Sequence, residues 1–97
     1  MTGTELSSEG MDARRRRLKF RSWHRGIREM DLVLGPFADG HLAVLSDADL
    51  DEYETWLDIP DQQIFAWVNG AEPTPGVIDT DLFRRLLAFH RASAKTL

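Results

Sequence analysis

Apolar residues in this chain recur at helical spacing, and glycine or proline punctuates most of the stretches before they grow long. Ile27, Met30, Leu34 and Phe37 repeat at i, i+3, i+7 and i+10, which is one face of a helix. Gly26 precedes that face, Gly35-Pro36 interrupts it, and Asp39-Gly40 follows as a turn signal. Elsewhere Pro60-Asp61, Asn69-Gly70 and the Pro73, Pro75, Gly76 cluster punctuate the chain in the same way. With 97 residues there is material for about one domain and a single core. A doubly wound dehydrogenase or a (β/α)8 barrel is excluded on length. The expected architecture is a small all-α bundle of four or five short helices, without internal repeats.

The elements read as follows. Residues 1–10 (MTGTELSSEG) are small and polar and predict a disordered N-terminal tail. A first helix is expected from about Asp12 to His24, rich in Arg and closed by Gly26 through the left-handed conformation glycine tolerates. The Ile27 face makes a second helix, with a kink near Leu34 or a restart at Pro36, because proline disfavours helix before it and clashes four residues back. His41 to Leu45 is too short for a strand with no partner, so it packs on the core as helix end or loop. Ser46 and Asp49 look like a capping pair for a third helix carrying Leu50, Tyr53, Trp56 and Leu57. Pro60-Asp61 starts a fourth, with Ile64, Trp67 and Val68 on one face, ended by Asn69-Gly70. Asp79, Thr80 and Asp81 offer N-terminal oxygens to a last helix bearing Leu82, Phe83, Leu86, Leu87 and His90. The helical domain is expected over 11–93, with 94–97 a C-terminal tail.

The charge is unevenly laid out. Eight of the twelve basic residues (Arg14, Arg15, Arg16, Arg17, Lys19, Arg21, Arg25 and Arg28) fall within fifteen positions, whereas Glu29 to Phe83 holds thirteen carboxylates and no Lys or Arg. A basic arm on an acidic body can pair with that body, engage an acidic protein, or contact nucleic acid. A dedicated nucleic-acid binder is normally basic overall, whereas the net charge here is -4. The chain lacks cysteine, which removes disulfides, thiolate catalysis and Cys-ligated zinc or iron-sulfur sites. No apolar run approaches the roughly 18 residues of a spanning helix. A polar start without a following apolar stretch, and acids among the arginines, argue against secretory and mitochondrial leaders. A cytoplasmic monomer is expected, with neither membrane nor nucleic acid as partner.

Catalytic chemistry finds little support. His24, His41 and His90 lie on different elements without the i, i+4 spacing of a helical zinc site, so no metal is expected. Asp47, Asp49, Asp51 and Asp58 imitate a calcium loop, but Glu52 stands where the turn glycine is required. Ser46 is better explained as a cap than as a nucleophile, and neither a G-x-S-x-G nor a phosphate-cradling loop is present. No catalytic residue is therefore assigned.

His24-Arg25-Gly26-Ile27-Arg28-Glu29-Met30-Asp31 resists a bland reading. Gly26 as a helix break and Glu29 as a capping acid explain two positions. They do not explain arginines crowded where a helix starts. The run Arg25-Gly26-Ile27-Arg28-Glu29-Met30-Asp31 resembles the R-G-x-x-E-x-D signature of the FAD assembly factor family, SdhE in bacteria and succinate dehydrogenase assembly factor 2 in mitochondria. Phe65-x-Trp67 after Pro60-Asp61, followed by Gly70 and Pro73, is similar to that family's fourth helix and its exit. The likeness spans about Arg14 to His90, with Gly35-Pro36 a local variation.

The resemblance implies a five-helix bundle that binds the flavoprotein subunit of succinate dehydrogenase, and in some bacteria that of fumarate reductase. It further implies promotion of covalent FAD attachment to a histidine of that subunit. Arg25, Gly26 and Glu29 would then form the contact, bordered by His24, Arg28 and Asp31. Gly26 would let a partner backbone approach, Arg25 would offer a donor fork and Glu29 an acceptor. FAD would be attached to the partner, with none held stably here, and direct contact with FAD is left open because no dinucleotide fingerprint is present. Two other classes stay open at this stage: a small antitoxin-like regulatory binder, and a nucleic-acid binder using Arg14 to Arg17.

Overall fold

The computed structural model describes residues 11–95, and the expected N-terminal tail lies outside them. Helix α1 (Ala13–Trp23) begins where Asp12 accepts the Arg15 backbone N–H at 2.8 Å. That N–H holds the Asp12 carboxyl below the usual carboxylate range. Helix α2 (Arg28–His41) follows after a four-residue elbow, and a 3-10 turn (Leu42–Val44) carries the HLAVL run onto the core. Ser46 caps α3 (Asp47–Leu57) by accepting the Asp49 N–H at 3.1 Å, as its sequence suggests. Helix α4 (Asp61–Val68) ends at Asn69, and Gly70 takes φ 80°, where a side chain would be strained. Thr80 accepts the Phe83 N–H at 3.2 Å at the start of α5 (Asp81–Lys95). The described residues thus form an all-α bundle of five helices without strands.

Helix α2 is the central element. Met30, Val33, Leu34, Phe37 and Ala38 are each at most 1% exposed and meet Leu50, Tyr53 and Trp56 of α3, Ile64 of α4, and Leu82, Phe83 and Leu86 of α5 in one core. Phe37 and Tyr53 stack at 6.2 Å, and Trp56 meets Phe83 edge-on at 5.4 Å. The Tyr53 hydroxyl shares a hydrogen bond of 2.5 Å with Ser22, whose own hydroxyl also donates to the Leu18 carbonyl. Burial pushes the Tyr53 pKa up, against the opposing pull of the Ser22 bond.

Two local expectations fail on α2. Gly35-Pro36 does not restart the helix, which runs through Pro36 without interruption. The Trp23 ring lies on Gly35 so closely that a Cβ there would stand 2.4 Å from a ring carbon. Pro36 leaves the carbonyl of Leu32 without its helical donor, and Leu32 is 51% exposed, on the side that water reaches. Asp39-Gly40 is also helical rather than a turn. The Asp39 carboxylate is occupied by α1 instead, accepting from the Trp23 indole at 3.2 Å and lying 3.4 Å from the Lys19 ammonium. Packing between α1 and α2 therefore overrides both local signals.

Candidate functional site

The elbow comprises His24, Arg25, Gly26 and Ile27. The His24 N–H still donates to the Arg21 carbonyl of α1 at 3.4 Å, but the next three backbone donors have no helical acceptors, and two carboxylates take them. Asp31 of α2 accepts the Arg25 N–H at 2.6 Å. Asp61, the first residue of α4, accepts the Gly26 and Ile27 N–H groups on one oxygen at 2.6 and 3.1 Å. Its other oxygen takes the Arg25 guanidinium, with Nε at 2.8 Å and Nη2 at 2.7 Å. The same guanidinium donates to the carbonyls of Leu57 and Ile59 at 2.8 and 3.1 Å, which lie at and just beyond the end of α3.

At four positions the local geometry is not what the sequence pattern alone suggests. Arg25 does not offer its fork outward. Its side chain is 9% exposed and that of Asp61 11%, because the carbonyls ending α3 and the carboxylate opening α4 both need its donors. Gly26 does not break α1 through a left-handed turn, since Gly70 is the glycine with positive φ among the described residues. A Cβ at Gly26 would stand 2.9 Å from the Asp61 oxygen, so a side chain there would require that carboxylate to shift. Glu29 is the second residue of α2 rather than a capping acid, and the N-cap, Ile27, makes no side-chain cap bond. Asp31 is half-buried, and its carboxylate holds the elbow together by accepting the Arg25 N–H.

Four residues of this segment face outward. His24, Gly26, Arg28 and Glu29 are all exposed. His24 stacks on Phe20 at 3.9 Å, and one of its ring nitrogens shares a 2.7 Å bond with the Phe20 carbonyl. Phe20, one turn before His24, is 58% exposed, and Leu32 lies one turn beyond Arg28. Sequence reasoning missed Phe20, Leu32 and Asp61. An aromatic four residues before a histidine on an otherwise charged helix was the available signal for Phe20, whereas Asp61 read only as a helix start. The surface combines opposite charges with two large apolar side chains, a composition suited to binding a protein.

The basic arm is largely turned onto its own chain. Arg14 pairs with Asp51 at 2.6 Å and Glu54 at 3.0 Å, and Arg21 with Asp58 at 2.9 Å. Arg15 donates to the carbonyls of Leu42 and Leu45 at 2.7 and 2.6 Å. Asp49 and Asp51, two of the acids that imitate a calcium loop, meet Arg85 and Arg14 respectively. Among the described residues no group of three or more His, Asp or Glu could hold a metal ion, and no helix is long and apolar enough to cross a membrane.

Comparison with known proteins places these features in context. The chain is 34% identical over 82 residues to the FAD assembly factor SdhE of Acetobacter pasteurianus, covering 84% of this chain and 75% of that protein. It is 46% identical over 61 residues to the mitochondrial succinate dehydrogenase assembly factor 2 of Meyerozyma guilliermondii, covering 63% of this chain and 45% of that one. With the Danio rerio protein of the same name it shares 31% identity over 87 residues, covering 88% of this chain and 55% of the relative. The chain thus spans about half the length of these mitochondrial relatives. Residues 16–90, which take in the elbow and all five helices in whole or part, match the family described as the flavinator of succinate dehydrogenase, and the chain belongs to that family.

Proposed function

We propose that this chain is an assembly factor that binds the flavoprotein subunit of succinate dehydrogenase and promotes covalent attachment of FAD to it. One observation carries this reading: the motif that resembles the family signature sits on a surface elbow, with His24, Gly26, Arg28 and Glu29 open to a partner. In this account His24, Arg28 and Glu29 make the contact, with Gly26 between them, and Arg25 and Asp31 support it from within. Phe20 and Leu32 add apolar area at its margins. The bond-forming chemistry belongs to the flavoprotein and its flavin, and this chain, which is not itself an enzyme, holds the flavoprotein in a productive arrangement. It works as a monomer in the cytoplasm without a stably bound cofactor, and the flavoprotein of fumarate reductase is a second client. The internal pairing of Arg14, Arg15 and Arg21 favours this reading over a nucleic-acid contact by the same arm.

The test is reconstitution. The flavoprotein subunit of succinate dehydrogenase, produced without an assembly factor, is incubated with FAD and this chain, and covalent flavin is read by fluorescence after denaturing electrophoresis. A rise in covalent flavin together with co-purification of the two proteins is expected. Flavin loading that is the same with and without the chain would contradict the proposal.

A further inference from the structure

The exposed half of the motif is held by a residue far from it in sequence. Asp61 opens α4, yet its carboxylate bonds the backbone of Gly26 and Ile27 and the guanidinium of Arg25, with four N···O distances between 2.6 and 3.1 Å. Ile27 is the N-cap of α2, so whatever fixes Ile27 also fixes how Arg28 and Glu29 leave the elbow. Alternative elbow geometries would part this carboxylate, 11% exposed, from the Arg25 guanidinium, 9% exposed, and an ionised pair so little exposed is costly to separate.

We propose that Asp61 is a positioning residue for docking of the flavoprotein: it sets the elbow in its binding shape before the partner arrives, and Gly26 is glycine in order to admit its carboxylate. The inference rests on the function proposed above and adds to it a residue outside the motif. It also replaces the explanation in which Gly26 lacks a side chain so that a partner backbone can approach. The two explanations differ in how substitutions combine. If Gly26 serves Asp61, removing the carboxylate makes a Cβ at position 26 harmless, and the two losses do not multiply. If Gly26 serves the partner, they do.

The experiment measures the rate of covalent flavin formation on the succinate dehydrogenase flavoprotein across a concentration series of the unmodified chain, Asp61→Ala, Asp61→Asn, Gly26→Ala and the double variant Gly26→Ala/Asp61→Ala. Asp61→Ala is expected to raise the concentration needed for half-maximal rate by about tenfold or more while leaving the rate at saturation unchanged, as pre-organisation requires. Asp61→Asn keeps the shape and one acceptor oxygen, so it is expected to recover part of the loss. The double variant is expected to match Asp61→Ala within about twofold.

Unchanged activity of Asp61→Ala would overturn the inference, as would losses that multiply in the double variant. Loss of the helical circular dichroism signal in both Asp61→Ala and Asp61→Asn would assign the residue to stability alone and overturn it as well. Failure of the unmodified chain to promote flavin attachment would be a different result, removing the underlying reading and this inference with it.

Discussion

Two connections in this bundle contain glycine, and they use it for opposite reasons. The elbow between α1 and α2 is tied to parts of the chain more than thirty residues away, through Asp61 and the carbonyls of Leu57 and Ile59. The link between α4 and α5 closes mostly on itself. Glu72 donates its N–H to Ala66, Ala71 to the Asn69 side chain, and Ile78 and Asp79 to Pro75. A Cβ at Gly26 meets a carboxylate, whereas a Cβ at Gly70 or Gly76 meets nothing within 4 Å. Gly70 is there for its φ of 80°, and Gly26 for the space it leaves. The connection built from long-range contacts is the one that presents the motif, while the locally closed link carries Val77, 87% exposed, with no such framework around it.

The largest effect should come from the elbow's inner side. Arg25→Met leaves the Asp61 carboxylate and two α3-end carbonyls without their main donor, and a loss of about 3 kcal/mol is expected in urea unfolding, the usual order for breaking a buried pair. A loss below about 1 kcal/mol would mean that water replaces the guanidinium freely and that the elbow is no firmer than the link. In the link, Gly70→Ala is expected to cost about 1 kcal/mol through the left-handed backbone alone. Gly76→Ala is expected to be neutral or to stabilise by about 0.5 kcal/mol, since its φ is ordinary and its Cβ unopposed. A larger loss at Gly76 than at Gly70 would reverse the account of the link.

Acid titration gives the smallest effect. Arg84 holds the Asp79 carboxyl at the end of the link below the ordinary carboxylate range, chiefly by a side-chain hydrogen bond. A folded-state pKa lowered in this way contributes stability above the ordinary value and loses it as pH falls through the lower one. Asp79→Asn is therefore expected to flatten the acid limb of the stability curve slightly, with no change near neutral pH beyond loss of an exposed ion pair. A change confined to neutral and alkaline pH would rule out this linkage.

Much of the bundle was legible in the sequence because its signals were local. Asp12, Ser46, Thr80 and Gly70 mark helix limits through bonds or dihedrals spanning a few residues, and the apolar faces of α2 and α5 follow from spacing. Gly35-Pro36 and Asp39-Gly40 misled because Trp23 and Lys19, on another helix, give those positions a different use. The motif was found by resemblance, but its division into inner and outer halves was not legible. Arg25 and Asp31 turn inward to satisfy charges and backbone groups of the elbow, α3 and α4, and sequence spacing carries no record of Asp61 standing beside Gly26.

The central claim is that the outward half of the elbow docks the flavoprotein, and Glu29 tests it most directly because the side chain is exposed and outside the Arg25–Asp61 clamp. The measurement is covalent flavin on the succinate dehydrogenase flavoprotein with Glu29→Lys in place of the unmodified chain, alongside thermal unfolding of the variant. Flavin attachment is expected to fall to the level seen without an assembly factor, while stability changes by no more than about 1 kcal/mol from the lost interaction with the helix dipole. Undiminished flavin loading by a folded Glu29→Lys chain would contradict the account.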